Sequence, residues 1–401
     1  MEEWHTYFLK DIATFSQGIQ VDIDNQFIKK DNGLIRFIRI IDYSKNNEPP
    51  RYISCPKNSY IVNDDDIVMI RYGSQTAGKV VRGISGAIAN NMFKITLNNN
   101  IITNEYAYYY LSQTSVFNNL RGSQSSSTMP AITFELVGRQ KILLPNIRIQ
   151  EKITTILSSL DDKIELNRRI NENLEQQAQA LFKSWFVDFE PFKDGKFVDS
   201  ELGMIPEGWK VNNIYEYIDV IYGAPYKSSL FNTDKNGYPL IRIRDLKTYT
   251  PQFYTPEILP NTEYIYPGDV IAGMDAEFIP TLWLGEKGLL NQRCCKFISK
   301  RKNISNYYLL YLLMPELLCV QNYKTGTTVS HLGKADIDRF KVITPPIEII
   351  EKFSTLVNPL YNEKIKLACE NRIITNLRDA LLPKLMSGEL KLSEIETKLD
   401  E

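Results

Sequence analysis

The segment Lys141-Ile-Leu-Leu-Pro145-Asn-Ile147-Arg-Ile149-Gln-Glu151-Lys152 recurs without a gap as Lys341-Val-Ile-Thr-Pro345-Pro-Ile347-Glu-Ile349-Ile-Glu351-Lys352, 200 positions later in a chain of 401. Other pairs keep the same order: Trp4 through Leu9 with Trp209 through Ile214, Phe37–Asp42 with Leu240–Asp245, Asp66-Ile67-Val68 with Asp269-Val270-Ile271, Ile102–Tyr106 with Ile304–Tyr308, and Lys163–Leu166 with Lys364–Leu367. The offset drifts between 200 and 205, as short loop insertions would make it. One unit of about 200 residues is used twice, so any fold must contain a two-fold pseudo-repeat.

Each unit divides into a strand-rich part and a long helix. The first part, 1–147 and 206–345, carries short β-branched and aromatic runs such as Ile35–Ile41, Asp66–Arg71, Phe93–Leu97 and Ile241–Ile243, broken by Gly, Asn and Pro. Helices are predicted over Tyr106–Asn119 and Tyr307–Val320, the second interrupted by Pro315. In the second part, Ile153, Leu157, Leu160, Ile164, Asn167, Asn171, Leu174, Ala178, Leu181 and Trp185 alternate spacings of four and three, a heptad seam. Phe353, Val357, Leu360, Leu367, Ile374, Leu381 and Leu385 repeat it less cleanly. A helix from Ile149 to Phe186 would be about 55 Å long, and neither helix can leave its apolar stripe in water. Antiparallel pairing of the two is the economical solution, with Asn167 and Asn171 fixing the register. The fold class expected is therefore α+β: two similar globular domains separated by two long antiparallel helices forming a coiled-coil stalk. The limits are 1–147 (first domain), 148–190 (central helix), 191–205 (linker), 206–345 (second domain), 346–390 (C-terminal helix) and 391–401 (tail).

Two similar domains on a rigid spacer form a ruler, and DNA with two half-sites is its natural substrate. Composition argues mildly the other way, since 47 basic against 48 acidic residues give a net charge of −1 rather than a basic excess. Five cysteines without C-x-x-C spacing argue against a disulfide framework and a zinc site, and fit a cytoplasmic location. No apolar run approaches a membrane span, and the acidic, polar start does not read as a signal peptide.

Gly73-Ser-Gln-Thr-Ala-Gly78-Lys79 fits the phosphate-cradling pattern G-x-x-x-x-G-K, but Val80 replaces the magnesium-binding Ser/Thr and the second unit has no counterpart. A glycine turn after a strand is the better reading. Arg71, Tyr72, Gln75, Lys79 and Arg82 would there offer donors and a stacking face to DNA; a surface hairpin with solvated charges explains any one of them equally well. Arg121 and Gln124 in unit one, and Lys324, Thr327, Thr328 and His331 in unit two, occupy equivalent hydroxyl- and glycine-rich runs that either approach phosphate or form a plain loop. Trp185, Phe186 and Phe189 read as a docking patch or as core packing. No metal site, glycine-rich nucleotide fingerprint or nuclease carboxylate signature stands out in either unit.

The block Thr325-Gly-Thr327-Thr328-Val-Ser330-His331-Leu332, Ile337, Ile343-Thr-Pro345-Pro346, the helix ending Leu381-Leu-Pro-Lys384-Leu-Met-Ser387-Gly388-Glu389-Leu390, and the central Leu181-Phe-Lys-Ser-Trp185-Phe-Val-Asp-Phe189-Glu-Pro191 with Ser200–Trp209 resemble the specificity subunit of type I restriction–modification systems. The resemblance spans essentially the whole chain. It implies two target-recognition domains, each reading half of a split asymmetric DNA site, and a non-catalytic subunit. It implies two methyltransferase partners docked on the helices, whose residues here are Leu160, Ile164, Asn167, Asn171, Leu174, Leu181, Trp185, Leu360, Leu367, Ile374 and Leu381. S-adenosylmethionine would sit on those partners; restriction subunits, where they join, would bring ATP and magnesium. No cofactor is expected on this chain. The rival readings are a duplicated coiled-coil scaffold without sequence-specific DNA binding and a self-sufficient modification enzyme, which would need a cofactor fingerprint.

Overall fold

The repeat is visible strand by strand. The computed structural model describes residues 4–43, 48–122, 131–324 and 330–390. The chain forms two units, Met1–Asp162 with Thr375–Glu401, and Lys163–Ile374. Unit 1 opens with β1 (His5–Phe8), α1 (Leu9–Ile12) and β2 (Ala13–Gln17), then β3 (Leu34–Ile38), β4 (Arg51–Ser54), β5 (Ile61–Val62), β6 (Ile67–Ile70), β7 (Val80–Val81), β8 (Gly86–Ile88) and β9 (Met92–Leu97). Helices α2 (Asn104–Ser112), α3 (Thr114–Gly122) and α4 (Phe134–Gly138) precede β10 (Lys141–Leu144) and α5 (Ile147–Phe186). Three sheets result, ordered β2-β9-β6-β7, β4-β3-β8-β5 and β1-β10.

Unit 2 contains the hairpin β11 (Phe197–Ser200) and β12 (Gly203–Pro206), then β13 (Lys210–Asn213), β14 (Ile218–Tyr222), β15 (Tyr238–Ile241), β16 (Phe253–Thr255), β17 (Tyr264–Ile265), β18 (Val270–Gly273), β19 (Thr281–Leu282), β20 (Gly288–Leu290) and β21 (Cys294–Ser299). Helices α6 (Asn306–Lys324) and α7 (Lys334–Ile337), β22 (Lys341–Thr344) and α8 (Ile347–Ser387) complete it. Its sheets are ordered β14-β21-β18-β19, β16-β15-β20-β17 and β13-β22, the order of unit 1. Even the parallel pair recurs, β3 with β8 and β15 with β20.

The central strand explains why both units need two sheets. All four residues of β6 are buried, Ile67 and Met69 in the core with α2 and α5, Val68 and Ile70 in the core between the sheets. Side chains alternate between faces, so a strand apolar throughout must be covered on both. In β18, Val270 and Ala272 face one core and Ile271 the other. The adjacent β-strand carries a lysine in each unit, half-buried in unit 1 and buried in unit 2: Lys94 pairs with Asp66 at 2.6 Å, and Lys296 pairs with Asp269 and Glu263, both at 2.9 Å.

Two expectations about the helices are corrected. The stretch Tyr106–Asn119 is two helices, because Gln113 turns extended (ψ 137°) and donates its side-chain amide back to the Tyr110 carbonyl. Pro315 does not interrupt α6, which runs through it for 19 residues. The link after α5 is a packed element as well as a reversal of the chain. Phe189 adopts a left-handed conformation (φ 54°), and Phe189 and Phe192 meet Trp209 edge to face at 5.3 and 5.1 Å between ring centres.

Within unit 2 the later part of α5 runs antiparallel to the earlier part of α8. Asn167 Nδ2 donates to Glu370 (2.8 Å) and Asn371 (2.9 Å), Asn371 donates to the Ile164 carbonyl (3.1 Å), and Lys364 pairs with Glu175. Within unit 1, Arg378 of α8 pairs with Asp161 of α5 at 2.6 Å. The expected seam residues are buried or half-buried, and Asn167 is fully buried.

Gly18 and Gly223 mark the same crossing in the two units. A Cβ on Gly18 would lie 2.2 Å from the Ala89 carbonyl oxygen, and one on Gly223 2.2 Å from that of Asn291. Backbone lies on both sides of the crossing, so neither contact can relax cheaply. Gly18→Ala should lower unit 1 stability by about 1–3 kcal/mol in urea unfolding, whereas Gly122→Ala, with nothing within 4 Å of the added carbon, should be near neutral.

Candidate nucleic-acid interface

In unit 1, β6 ends at Ile70 and the chain doubles back within a few residues. Ile70 N–H donates to the Lys79 carbonyl (2.9 Å), Gly78 N–H to that of Ile70 (2.9 Å) and Ala77 N–H to that of Gly73 (3.1 Å). Gly73 (φ 123°) and Gly78 (φ 90°) supply the left-handed backbone that this turn requires. Lys79 leads into a strand, β7, whereas a phosphate-cradling loop of its pattern leads into a helix. The turn is therefore a hairpin tip.

That tip is tied to the segment before α4. Arg71 N–H donates to the Asn91 carbonyl (2.8 Å), the Arg71 carbonyl accepts from Ile132 (2.9 Å), and Tyr72 bridges Ala131. Arg121, at the end of α3, donates to the Ser74 carbonyl while lying over the Phe117 ring at 5.3 Å. Thus Arg71, Tyr72, Gln75, Lys79 and Arg121 meet at one edge of the unit, with Gln75 and Lys79 exposed. Arg82 does not join them: it stacks over Tyr108 of α2 at 4.1 Å. One residue missed from sequence, Gln17, completes the edge. Gln17 accepts from Arg71 Nη1 at 2.5 Å and donates to the Asn90 carbonyl at 2.8 Å. Arg71 and Gln17 lie 54 positions apart, so only the sheet order reveals the pair.

Unit 2 repeats the frame with other side chains. Met274 stands where Arg71 does, donating to the Arg293 carbonyl (2.8 Å) and accepting from Leu332 (2.7 Å); Asp275 bridges His331 as Tyr72 bridges Ala131. Asp275 Oδ1 lies 2.7 Å from His331 Nδ1, and its Oδ2 lies 3.1 Å from Arg293. Lys324 donates to the His331 carbonyl (2.7 Å) and to Asp336 (2.6 Å), so it braces the segment before α7. Gln124, Thr327 and Thr328 lie outside the described residues.

The helical residues also separate by position. Trp185 packs in the unit 2 core against Phe353 (5.9 Å) and Phe192 (6.3 Å), and Leu181 packs beside it, which favours core packing over an open patch. Open to solvent instead are Leu166 (53%), Ile170 (37%) and Ile373 (66%). The first two are a turn apart on α5, and the Asn167–Asn371 contact puts Ile373 at their level.

Asp336 supplies a pH test of this bracing. Burial alone would raise its carboxyl, but Lys324, the Gly333 N–H (2.8 Å) and the Tyr323 hydroxyl (2.9 Å) outweigh that and hold it below its ordinary value. A carboxyl lowered by folding stabilises above its unfolded pKa, and that stability is lost as pH falls through the lowered value. Asp336→Asn should therefore cost roughly 1–2 kcal/mol at pH 7. The difference from wild type, read by urea unfolding, should close as pH falls below about 3.9.

A family model described as the type I restriction modification DNA specificity domain matches residues 1–176 and 206–374. The specificity subunit of the type I restriction enzyme MjaIX of Methanocaldococcus jannaschii is 30% identical over 328 residues, 76% of this chain and 73% of that protein. The MjaVIII specificity subunit of the same organism is 25% identical over 418 residues, 98% of this chain and 94% of that protein. A solved S subunit of a type-I restriction-modification system from M. genitalium shares the fold, with a TM-score of 0.56 at 15% identity over 96% of both chains.

Proposed function

The chain belongs to the type I restriction modification DNA specificity family, and we propose that its two hairpin-tip edges read the two halves of a split, asymmetric DNA site. It is a non-catalytic, DNA-recognising specificity subunit of a type I restriction–modification complex. The observation that carries the split-site reading is the pairing of one backbone frame with two side-chain sets. Arg71, Tyr72 and Gly73 stand where unit 2 has Met274, Asp275 and Ala276. Donors, acceptors and stacking faces on such a rim are what distinguish base edges, and two different rims select two different half-sites.

Adenine methylation is assigned to two partner methyltransferase subunits that bind S-adenosylmethionine and draw the base out of the duplex. Restriction subunits, where present, would bring ATP and magnesium. The stalk helices are the docking surface for the methyltransferases, and Leu166, Ile170 and Ile373 are the contact we assign, since each is apolar and open. Among the described residues no helix is long and apolar enough to cross a membrane.

Single-molecule sequencing of DNA from cells carrying this chain with its neighbouring methyltransferase tests the reading. An adenine mark confined to a split motif, present only with both proteins, is expected. A stable complex that leaves no mark would favour a scaffold instead. The docking surface has its own test: Leu166→Asp with Ile170→Asp should weaken capture of the methyltransferase at least tenfold, given about 1.5–3 kcal/mol per buried aliphatic side chain. The unfolding profile of the chain should stay unchanged.

A further inference from the structure

Arg71 is restrained from several directions, more than a surface arginine needs. Its backbone is fixed on both sides, to Asn91 (2.8 Å) and Ile132 (2.9 Å). Its guanidinium is held by Gln17 at 2.5 Å, and Gln17 is itself anchored on the Asn90 carbonyl. The Tyr72 ring lies 5.2 Å from the guanidinium carbon. Nε is buried and has no hydrogen-bond partner, so the edge left for a ligand is the outer one, formed by the two terminal nitrogens. Among the described residues no carboxylate forms an ion pair with Arg71, whereas Arg39, Arg139, Arg168, Arg293 and Arg378 each have one.

The restraint discriminates between possible acceptors. A phosphate also accepts a guanidinium fork, but it offers oxygens in several directions and does not require the plane of that fork to be fixed. The O6 and N7 atoms of guanine lie in one plane, fixed by the base, and reward a guanidinium whose plane is also fixed. Unit 2 has no such fork at this position: Met274 replaces Arg71, and Asp275, in the place of Tyr72, pairs with the nearby Arg293. We propose that Arg71 reads a guanine in the half-site recognised by unit 1, with Gln17 and Tyr72 as its positioning residues. The proposal rests on the DNA-recognition reading above and adds the base, the residue and the half-site.

The test uses the full chain in complex with its methyltransferase, on a duplex library randomised across both half-sites, with methylation of each sequence as the readout. Arg71→Ala should reduce the preference for guanine at one position of one half-site by about tenfold to a hundredfold. Preferences in the other half-site should be untouched, which also reports an intact complex. Arg71→Lys keeps the charge but loses the fork, and should lose most of that preference; Gln17→Ala should lose part of it at the same position. Uniform weakening across all sequences by Arg71→Ala, with a shallower salt dependence and near wild-type behaviour of Arg71→Lys, would make Arg71 a phosphate contact and overturn the proposal. An unchanged preference would overturn it too. If the wild-type complex showed no sequence preference at all, the failure would lie with the DNA-recognition reading itself.

Discussion

In each unit a carboxylate on α5 is held from two sides. Asp161 accepts from the Tyr109 hydroxyl (2.7 Å) and pairs with Arg378 (2.6 Å); Glu175 accepts from the Tyr311 hydroxyl and pairs with Lys364. Tyr109 and Tyr311 belong to α2 and α6, helices of the globular parts, while Arg378 and Lys364 belong to α8. One acidic group thus ties three elements together. The arrangement is strict because a partly buried carboxylate that loses either partner keeps its desolvation cost with less to offset it. The tyrosines show the same coupling, since burial and then the neighbouring carboxylate push both hydroxyls well above their ordinary pKa. With the helix pair pinned to the domain in this way, the strands of each unit have a fixed base on which the hairpin tip is carried.

The devices that hold the frame are shared between the units, and those at the rim are not. Gly18 and Gly223 permit the same backbone crossing. Asp42 and Asp245 receive the backbone N–H of Arg39 and Arg242 at 2.7 and 3.0 Å, stiffening the same turn after β3 and β15. Lys94 and Lys296 each neutralise an aspartate beside the central strand. These are interior constraints, where an unpaired polar group or an added carbon is costly. The hairpin tip is half exposed, so its side chains can change while the backbone bridges to Ala131 and His331 remain. A protein that must present two chemistries from one scaffold is free to vary only there.

This division also explains what could be read from the sequence. The repeat, the central strands and the heptad seam are local or periodic signals, and all three are visible in the residues alone. The join between the Gly73–Lys79 turn and the segment before α4 is a contact across some sixty positions, which no local or periodic signal marks. Gln17 was invisible because nothing near it in sequence marks its partner. Asp161 and Glu175 look like solvated charges on a helix surface, and only the fold brings a tyrosine to each. Pro315 misled in the opposite direction: α6 is buried along much of its length, and packing carries it through a residue that would end an exposed helix. Proximity in sequence groups Arg82 with Arg71, yet Arg71 follows the end of β6, whereas Arg82 follows the end of β7 and lies over Tyr108.

The near-neutral charge of the chain follows from the same economy of contacts. Lys94, Lys296, Lys324, Lys364, Arg39 and Arg378 are all engaged with carboxylates of the chain itself. A cation already paired releases few counterions when it meets phosphate, and counterion release supplies most of the sequence-independent affinity for DNA. Basic residues used for internal bracing in this way contribute little to holding DNA by charge. The tip residues, exposed and held on a rigid frame, are better suited to discriminate between bases. On the reading proposed here the methyltransferase partners help to enclose the duplex. That division of labour removes the objection raised by a net charge of −1, because selection and affinity then reside on different chains.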